Sequence, residues 1–263
     1  MQPFKLIRRM LPEIVNVLLL LIFSIGTAVQ AAPIGNIIEH KGSSSIEREK
    51  GNVIAVSESS IPEIQINDTA ETADGRMLIQ FLDEAKLSLT ENTRVYIDKV
   101  YYDPDPAKSK MVMRMALGTA RFASGRLGMV NKNNIDITTP TATISVRGTD
   151  FTTTIDELGR SLIVLLPDEN GQPSGEIDVS NNGGTVTLNE AYATTMVSSL
   201  DTIPTRSVII NNITPSIIDN MFIVSPPKEV REQMDENLAD DLNADQGLLD
   251  VDFLEFDGLD QDY

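Results

Sequence analysis

Residues 139–151 read TPTATISVRGTDF. Ala142, Ile144 and Val146 alternate with Thr143, Ser145 and Arg147, so one side of the run is apolar and the other polar. Alternation with period two places one face of a strand on a core and the other in water. Gly148 follows the arginine at once. Glycine admits positive φ and close backbone approach, so this step predicts a bulge or a strand switch. Thr149-Asp150-Phe151 then resumes a strand that ends TTTI. A bulge changes which face the next side chains occupy. Arg147 is expected at a strand corner, its planar fork aimed at a carboxylate or at several carbonyls. Asp150, Asp83 and Asp98 are the candidate partners. A polar pin of the corner is the favoured role, and a ligand contact is the alternative.

The same pattern repeats outward from this stretch. From Pro33 to about Ser199, short segments such as NVIAVS, MLIQFL, KLSLT, NIDITT, SLIVLL and TVTLN are separated by Asn67-Asp68, Asp74-Gly75, Asn170-Gly171 and Asn181–Gly184. Many short strands with turns every 8–12 residues predict an all-β fold: a sandwich, a roll or a solenoid-like stack. No glycine-rich strand-to-helix junction occurs, which disfavours a nucleotide-binding α/β fold.

The 263 residues hold 21 basic and 39 acidic side chains, a formal charge of −18, with no Cys and no Trp. Such a surface repels phosphate, so nucleic acid is not an expected partner. Without Cys there is no disulfide framework and no thiol nucleophile. The one histidine, His40, precedes a glycine turn and reads as a surface residue. No GxSxG elbow and no zinc spacing accompany it. The chain is therefore expected to lack catalysis and to need no cofactor.

Lys5, Arg8 and Arg9 precede the apolar run Ile14–Val29, which ends in small residues suited to cleavage after Ala31. This is the plan of a secretory signal. The run is short for a spanning helix, which needs about 20 apolar residues. The expected location is the periplasm or cell envelope; a retained anchor is the alternative, and the only membrane contact expected. The organisation reads as signal peptide 1–31, β domain 32–199, connector 200–227 and acidic tail 228–263.

Three stretches in order resemble the FecR domain family. FLDEAKLSLTENTRVYID (81–98) is similar to its strand, Asp and turn segment. VYYDPDPAKSKMVMRMALGTARFASGRLG (100–128) is similar to the hairpin and the G-x-x-R-F-x-S-G element after it. ITTPTATISVRGTDF (137–151) is similar to the diagnostic T-P-x-A-x-x-x-V-R-G-T-x-F run. Two positions depart: Glu84 follows Asp83 where glycine is common, and Thr93 replaces the usual Ser. The resemblance implies an all-β periplasmic domain without catalysis. It marks Asp83, Thr139, Pro140, Ala142, Arg147, Gly148, Thr149 and Phe151 as the residues that shape it. The family's namesake regulator passes an outer-membrane receptor's signal to a cytoplasmic sigma factor through a cytoplasmic domain and a spanning helix. Because residues 1–31 read as an export signal, direct sigma-factor inhibition is not expected. The expected partner is an envelope protein, with a membrane-bound sensor as the example.

The tail adds two readings. Residues 229–263 hold 13 acidic side chains and one basic one, Arg231. Val230, Met234, Leu238 and Leu242 recur every four residues, a short amphipathic helix pattern. Acids then alternate with Leu248, Leu249, Phe253, Leu254 and Phe256. That composition suits a segment that orders on a partner, with acids to steer and apolar side chains to anchor. Residues 241–253 also resemble in part the calcium loop of EF-hand and dockerin-like repeats, with Asp241, Asn243, Asp245 and Asp252 as oxygen ligands. Gln246 stands where that loop needs its glycine. A calcium-dependent envelope or adhesion component is therefore the alternative function.

Overall fold

The computed structural model describes residues 32–48, 51–103, 105, 108–130 and 134–210. Expectations for the N-terminal 31 residues and for everything after Ile210 lie outside these. Among the described residues no helix is long and apolar enough to cross a membrane.

The all-β expectation holds. Among the described residues seventeen strands run β1 Gly35–Lys41, β2 Ser44–Arg48, β3 Asn52–Val56, β4 Glu63–Ile64, β5 Thr69–Thr72, β6 Arg76–Phe81, β7 Lys86–Leu89, β8 Arg94–Tyr101 and β9 Lys110–Ala123. They continue as β10 Ile135–Thr138, β11 Thr143–Arg147, β12 Asp150–Ile155, β13 Ser161–Leu165, β14 Glu176–Asn181, β15 Gly184–Leu188, β16 Ala193–Val197 and β17 Val208–Ile209. A 3-10 turn, Arg126–Met129, lies between β9 and β10.

Two layers share one strand. Sheet I has the order β4-β1-β6-β7-β9-β12-β13-β16-β17, antiparallel throughout. Sheet II has the order β3-β2-β5-β8-β9-β10-β11-β14-β15, and only its β9–β10 pairing is parallel. The first part of β9 pairs with β8 and β10; its last part, from Gly118, pairs with β12 and β7. β9 is thus the middle strand of both layers.

The apolar alternation explains the layering. Met77, Ile79 and Phe81 of β6 point inward, as do Ile144 and Val146 of β11. Side chains of both sheets meet in one core. A cavity of only about 10 Å³ remains where Leu87, Phe122 and Phe151 of sheet I face Val95, Met113 and Ile137 of sheet II. Interiors packed this closely feel the loss of single methylenes.

Within β9 and at the step from β11 to β12, where the chain changes sheet, the phase of alternation flips. In β9 the buried positions are Met111, Met113 and Met115, then Ala120 and Phe122. Between them a register shift opposite Arg94/Val95 leaves Ala116 as an extra residue, and Gly118 sits at φ +89°. The step from β11 to β12 behaves alike. Ile144 and Val146 are buried before it, Phe151 and Ile155 after it, and Gly148 between them has φ +57°. A one-residue slip moves every following side chain to the other face, so each strand can line the core of the second sheet.

The stretch read as a connector begins as part of this framework. Asn182 N–H donates to the Leu200 carbonyl, Asn181 Nδ2 donates to the Ser199 and Thr202 carbonyls, and β17 pairs with β16.

Candidate functional site

The motif residues converge on the region where the chain changes sheet. Thr139 opens the β10–β11 turn. Its N–H donates to the Ala142 carbonyl at 2.8 Å, and its Oγ1 accepts from Ala142 N–H at 3.0 Å. Pro140 occupies the next position, where its fixed φ suits the turn. Ser161 Oγ donates to Thr139 Oγ1 at 2.8 Å, so the turn is tied to β13 in the other sheet. Ala142 is buried beneath it.

Gly148 then carries the chain from sheet II to sheet I. Ser174 hydroxyl donates to the Leu166 carbonyl at 2.7 Å and accepts from Asp150 N–H at 2.9 Å, fixing the start of β12. Gly175 lies against this corner so closely that a Cβ there would fall 2.3 Å from the Gly148 carbonyl oxygen. Thr149 is buried, and its Oγ1 has no hydrogen-bond partner among the described residues. Phe151 meets Phe122 of β9 with ring centroids 6.0 Å apart and planes tilted by 57°.

Arg147 does not pin this corner. Its side chain is exposed and makes no hydrogen bond or ion pair among the described residues. The carboxylates expected to hold it are engaged elsewhere. Asp150 is gripped by Arg121, with Nε–Oδ1 at 2.9 Å and Nη2–Oδ2 at 2.6 Å. Asp98 lies 3.5 Å from Arg114 Nε. Asp83 is buried in its own turn. The physical reason is the phase of β11: Ile144 and Val146 take the inner face, so Arg147 ends the strand on the solvent side of the opposite parity. Arg121 of the G-x-x-R-F element, not Arg147, supplies the fork.

Asp83 organises the β6–β7 turn. Ala85 N–H donates to its Oδ1 and Leu127 N–H to its Oδ2, each at 3.3 Å, and the Tyr102 hydroxyl donates to Oδ1 at 3.2 Å. Burial beside this carboxylate pushes the Tyr102 phenol well above the usual tyrosine range. Gly125 approaches so closely that a Cβ would lie 2.2 Å from the Asp83 carbonyl oxygen. The tight turn forms although Glu84 replaces glycine, and Glu84 accepts φ +73° to do so. Left-handed backbone costs a side-chain-bearing residue about 1–2 kcal/mol. Glu84→Gly is therefore expected to stabilise the protein by about 1 kcal/mol, the strain relieved being larger than the entropy glycine adds to the unfolded chain. The exposed ion pair of Glu84 with Arg126, at 3.7 Å, subtracts little. A rise in the urea midpoint checks this, and a fall contradicts it.

Thr93, the other departure, keeps the hydroxyl that matters. Its Oγ1 accepts from Thr119 N–H at 3.0 Å and lies 3.0 Å from the Thr119 carbonyl, holding β9 just beyond Gly118. The buried pair of Arg48 and Asp68 was not signalled by the sequence, where Asn67-Asp68 reads only as a turn. Arg48 Nε and Nη2 each donate to Asp68 at 2.9 Å, and Gln65 N–H adds a 2.8 Å bond to Oδ2. The hydrogen bond to Asp68 raises the Arg48 pKa further above its ordinary value. The two residues are twenty apart, Arg48 at the end of β2 and Asp68 in the turn before β5, a distance that local pattern does not carry.

His40 lies half-buried on β1 opposite Met77, with no partner for Nδ1 among the described residues. Among the described residues no three His, Asp or Glu side chains are grouped to hold a metal ion. The candidate calcium ligands Asp241, Asn243, Asp245 and Asp252, and the docking residues Leu248, Leu249, Phe253, Leu254 and Phe256, lie outside them. An open groove of about 490 Å³ crosses the outer face of sheet II, with Arg114 stacked 4.3 Å from the Tyr96 ring centroid and Pro140 at its rim.

No curated protein matches the chain. Among solved structures, one of a candidate anti-sigma factor from Parabacteroides distasonis aligns at 12% identity with a TM-score of 0.40, covering 51% of this chain and 56% of that one. This chain thus spans about half the length of that protein. The FecR protein family matches residues 68–166, a stretch that takes in all three of the motifs quoted above. The match runs from Asp68, at the buried ion pair, to Leu166, which closes the Gly148 corner, and over this part the chain is similar to FecR proteins.

Proposed function

We propose that the chain is a non-catalytic recognition protein of the cell envelope, exported through residues 1–31, that captures a protein partner in transmembrane signalling. The FecR domain supports a regulatory role. The observation that carries the rest is how the motif side chains are used. Asp83, Thr93, Arg121, Thr139 and Asp150 spend their polar groups on backbone and on one another. That is the use expected of a scaffold, and it leaves chemistry to surfaces and tails. On this reading the acidic tail is the capture element: its carboxylates steer the encounter, and Leu248, Leu249, Phe253, Leu254 and Phe256 anchor on a membrane-bound sensor. Deleting residues 229–263 should abolish cross-linking to that partner in intact envelopes while the thermal midpoint of the β domain stays unchanged. Undiminished cross-linking after the deletion rejects the role of the tail.

A further inference from the structure

We propose that β3 is a docking edge for a second copy of this chain, paired antiparallel about Ile54 so that sheet II runs on across two molecules. Among the described residues β3 pairs only with β2, so its outer side is an open row of backbone donors and acceptors. Such an edge is a template for another strand unless charge, proline, a bulge or a cover blunts it.

The other three sheet ends are blunted. β4 and β17 are two residues long. The start of β15 is capped, since Ile203 lies 3.2 Å from where a Cβ on Gly184 would sit. β3 has none of these devices. It is five residues long and reads NVIAV, with Val53 60% exposed and Asn52 and Ala55 also exposed. Gly51 and Ser57 extend the uncharged run on either side.

Charge selects the occupant. The chain carries −18 overall, so most ways of bringing two copies together set carboxylates against carboxylates. At β3 they do not meet. A two-fold axis through Ile54 sets Val53 of one copy opposite Ala55 of the other, and directly opposed side chains sit about 4.5–5.5 Å apart. An uncharged edge also offers a charged peptide no ionic handle. The interface needs no part of the acidic tail and stands independently of the capture reading.

Sedimentation of the full chain in mild detergent tests this over a concentration series. The wild type should reach twice the single-chain mass, and Val53→Lys/Ala55→Lys should stay at the single-chain mass with unchanged circular dichroism. Because the chain has no Cys, a second arm reads the register. Val53→Cys chains mixed with Ala55→Cys chains should form a disulfide on oxidation, and Val53→Cys chains alone should form far less, because like positions are displaced diagonally. A wild type that remains single at all concentrations overturns the proposal and leaves the edge to a different chain. A double-lysine variant that still dimerises overturns it too, as does a mixture that yields no cross-link.

Discussion

Gly118→Ala is expected to destabilise the protein by about 3 kcal/mol or more. Two costs add. At φ +89° the backbone is in a region that L side chains avoid, and holding alanine there costs roughly 1–3 kcal/mol. A Cβ would also fall 2.4 Å from Thr93 Oγ1 and 2.5 Å from the Asn92 carbonyl oxygen. Backbone atoms cannot yield as a flexible side chain does, and overpacking costs another ~1–3 kcal/mol. Gly171→Ala is the control. Gly171 has a similar φ of +76° but nothing within 4 Å of its would-be Cβ, so only the conformational part remains, about 1–2 kcal/mol. Urea unfolding of the two variants separates the costs. Equal losses would show that the crossing of β9 does not depend on the space at Gly118.

The second large effect lies at Arg48. Replacing it with methionine keeps much of the apolar stem and removes the guanidinium that faces Asp68. The Asp68 side chain is 0% exposed, so the variant buries a carboxylate with the Gln65 N–H as its remaining donor named above. Breaking a buried pair from one side costs about 3–5 kcal/mol. Because the Arg48 side chain keeps 23% exposure, water softens the loss, and about 3 kcal/mol is expected. Adding Asp68→Asn should recover part of it, since a neutral amide needs less compensation and still accepts from Gln65. A double-mutant cycle measures this coupling. A loss below about 1 kcal/mol for Arg48→Met would mean that solvent already carries the charge of Asp68.

What could be read in advance was what is local. The alternation of Ile144 and Val146 revealed a half-buried strand, and Gly148 after Arg147 revealed the switch. The departures at Glu84 and Thr93 were visible as departures, and the structure supplies their outcomes: a strained turn in one case, a hydroxyl hydrogen-bonded to Thr119 in the other. What could not be read was pairing across the layers. Arg147 and Asp150 are three residues apart, so spacing suggested a match. Asp150 instead binds Arg121, twenty-nine residues away and brought alongside by the β9–β12 register. In the same way KMVMRMALGTARFA reads as the arm of a hairpin. Its single extra residue at Ala116 and its glycine make it one strand of two sheets, and only the partners on either side disclose that. The buried pair of Arg48 and Asp68 belongs to the same class of long-range contact.

The shared strand also sets an order of events for a chain that emerges from its N-terminus. Once Ala123 has appeared, both layers can assemble as far as β9 and no further, because β10 and β12 are still to come. At that stage fourteen residues offer their outer backbone groups to whatever lies nearby, first on one layer and then on the other. Any delay there, in synthesis or in transport, prolongs the life of the most adhesive species the molecule passes through. The arrival of β10 covers the open side of β9 in sheet II, and the later arrival of β12 covers it in sheet I. Both layers pass through the same exposed strand, and a helper protein that guards this chain has an interval there in which its protection counts.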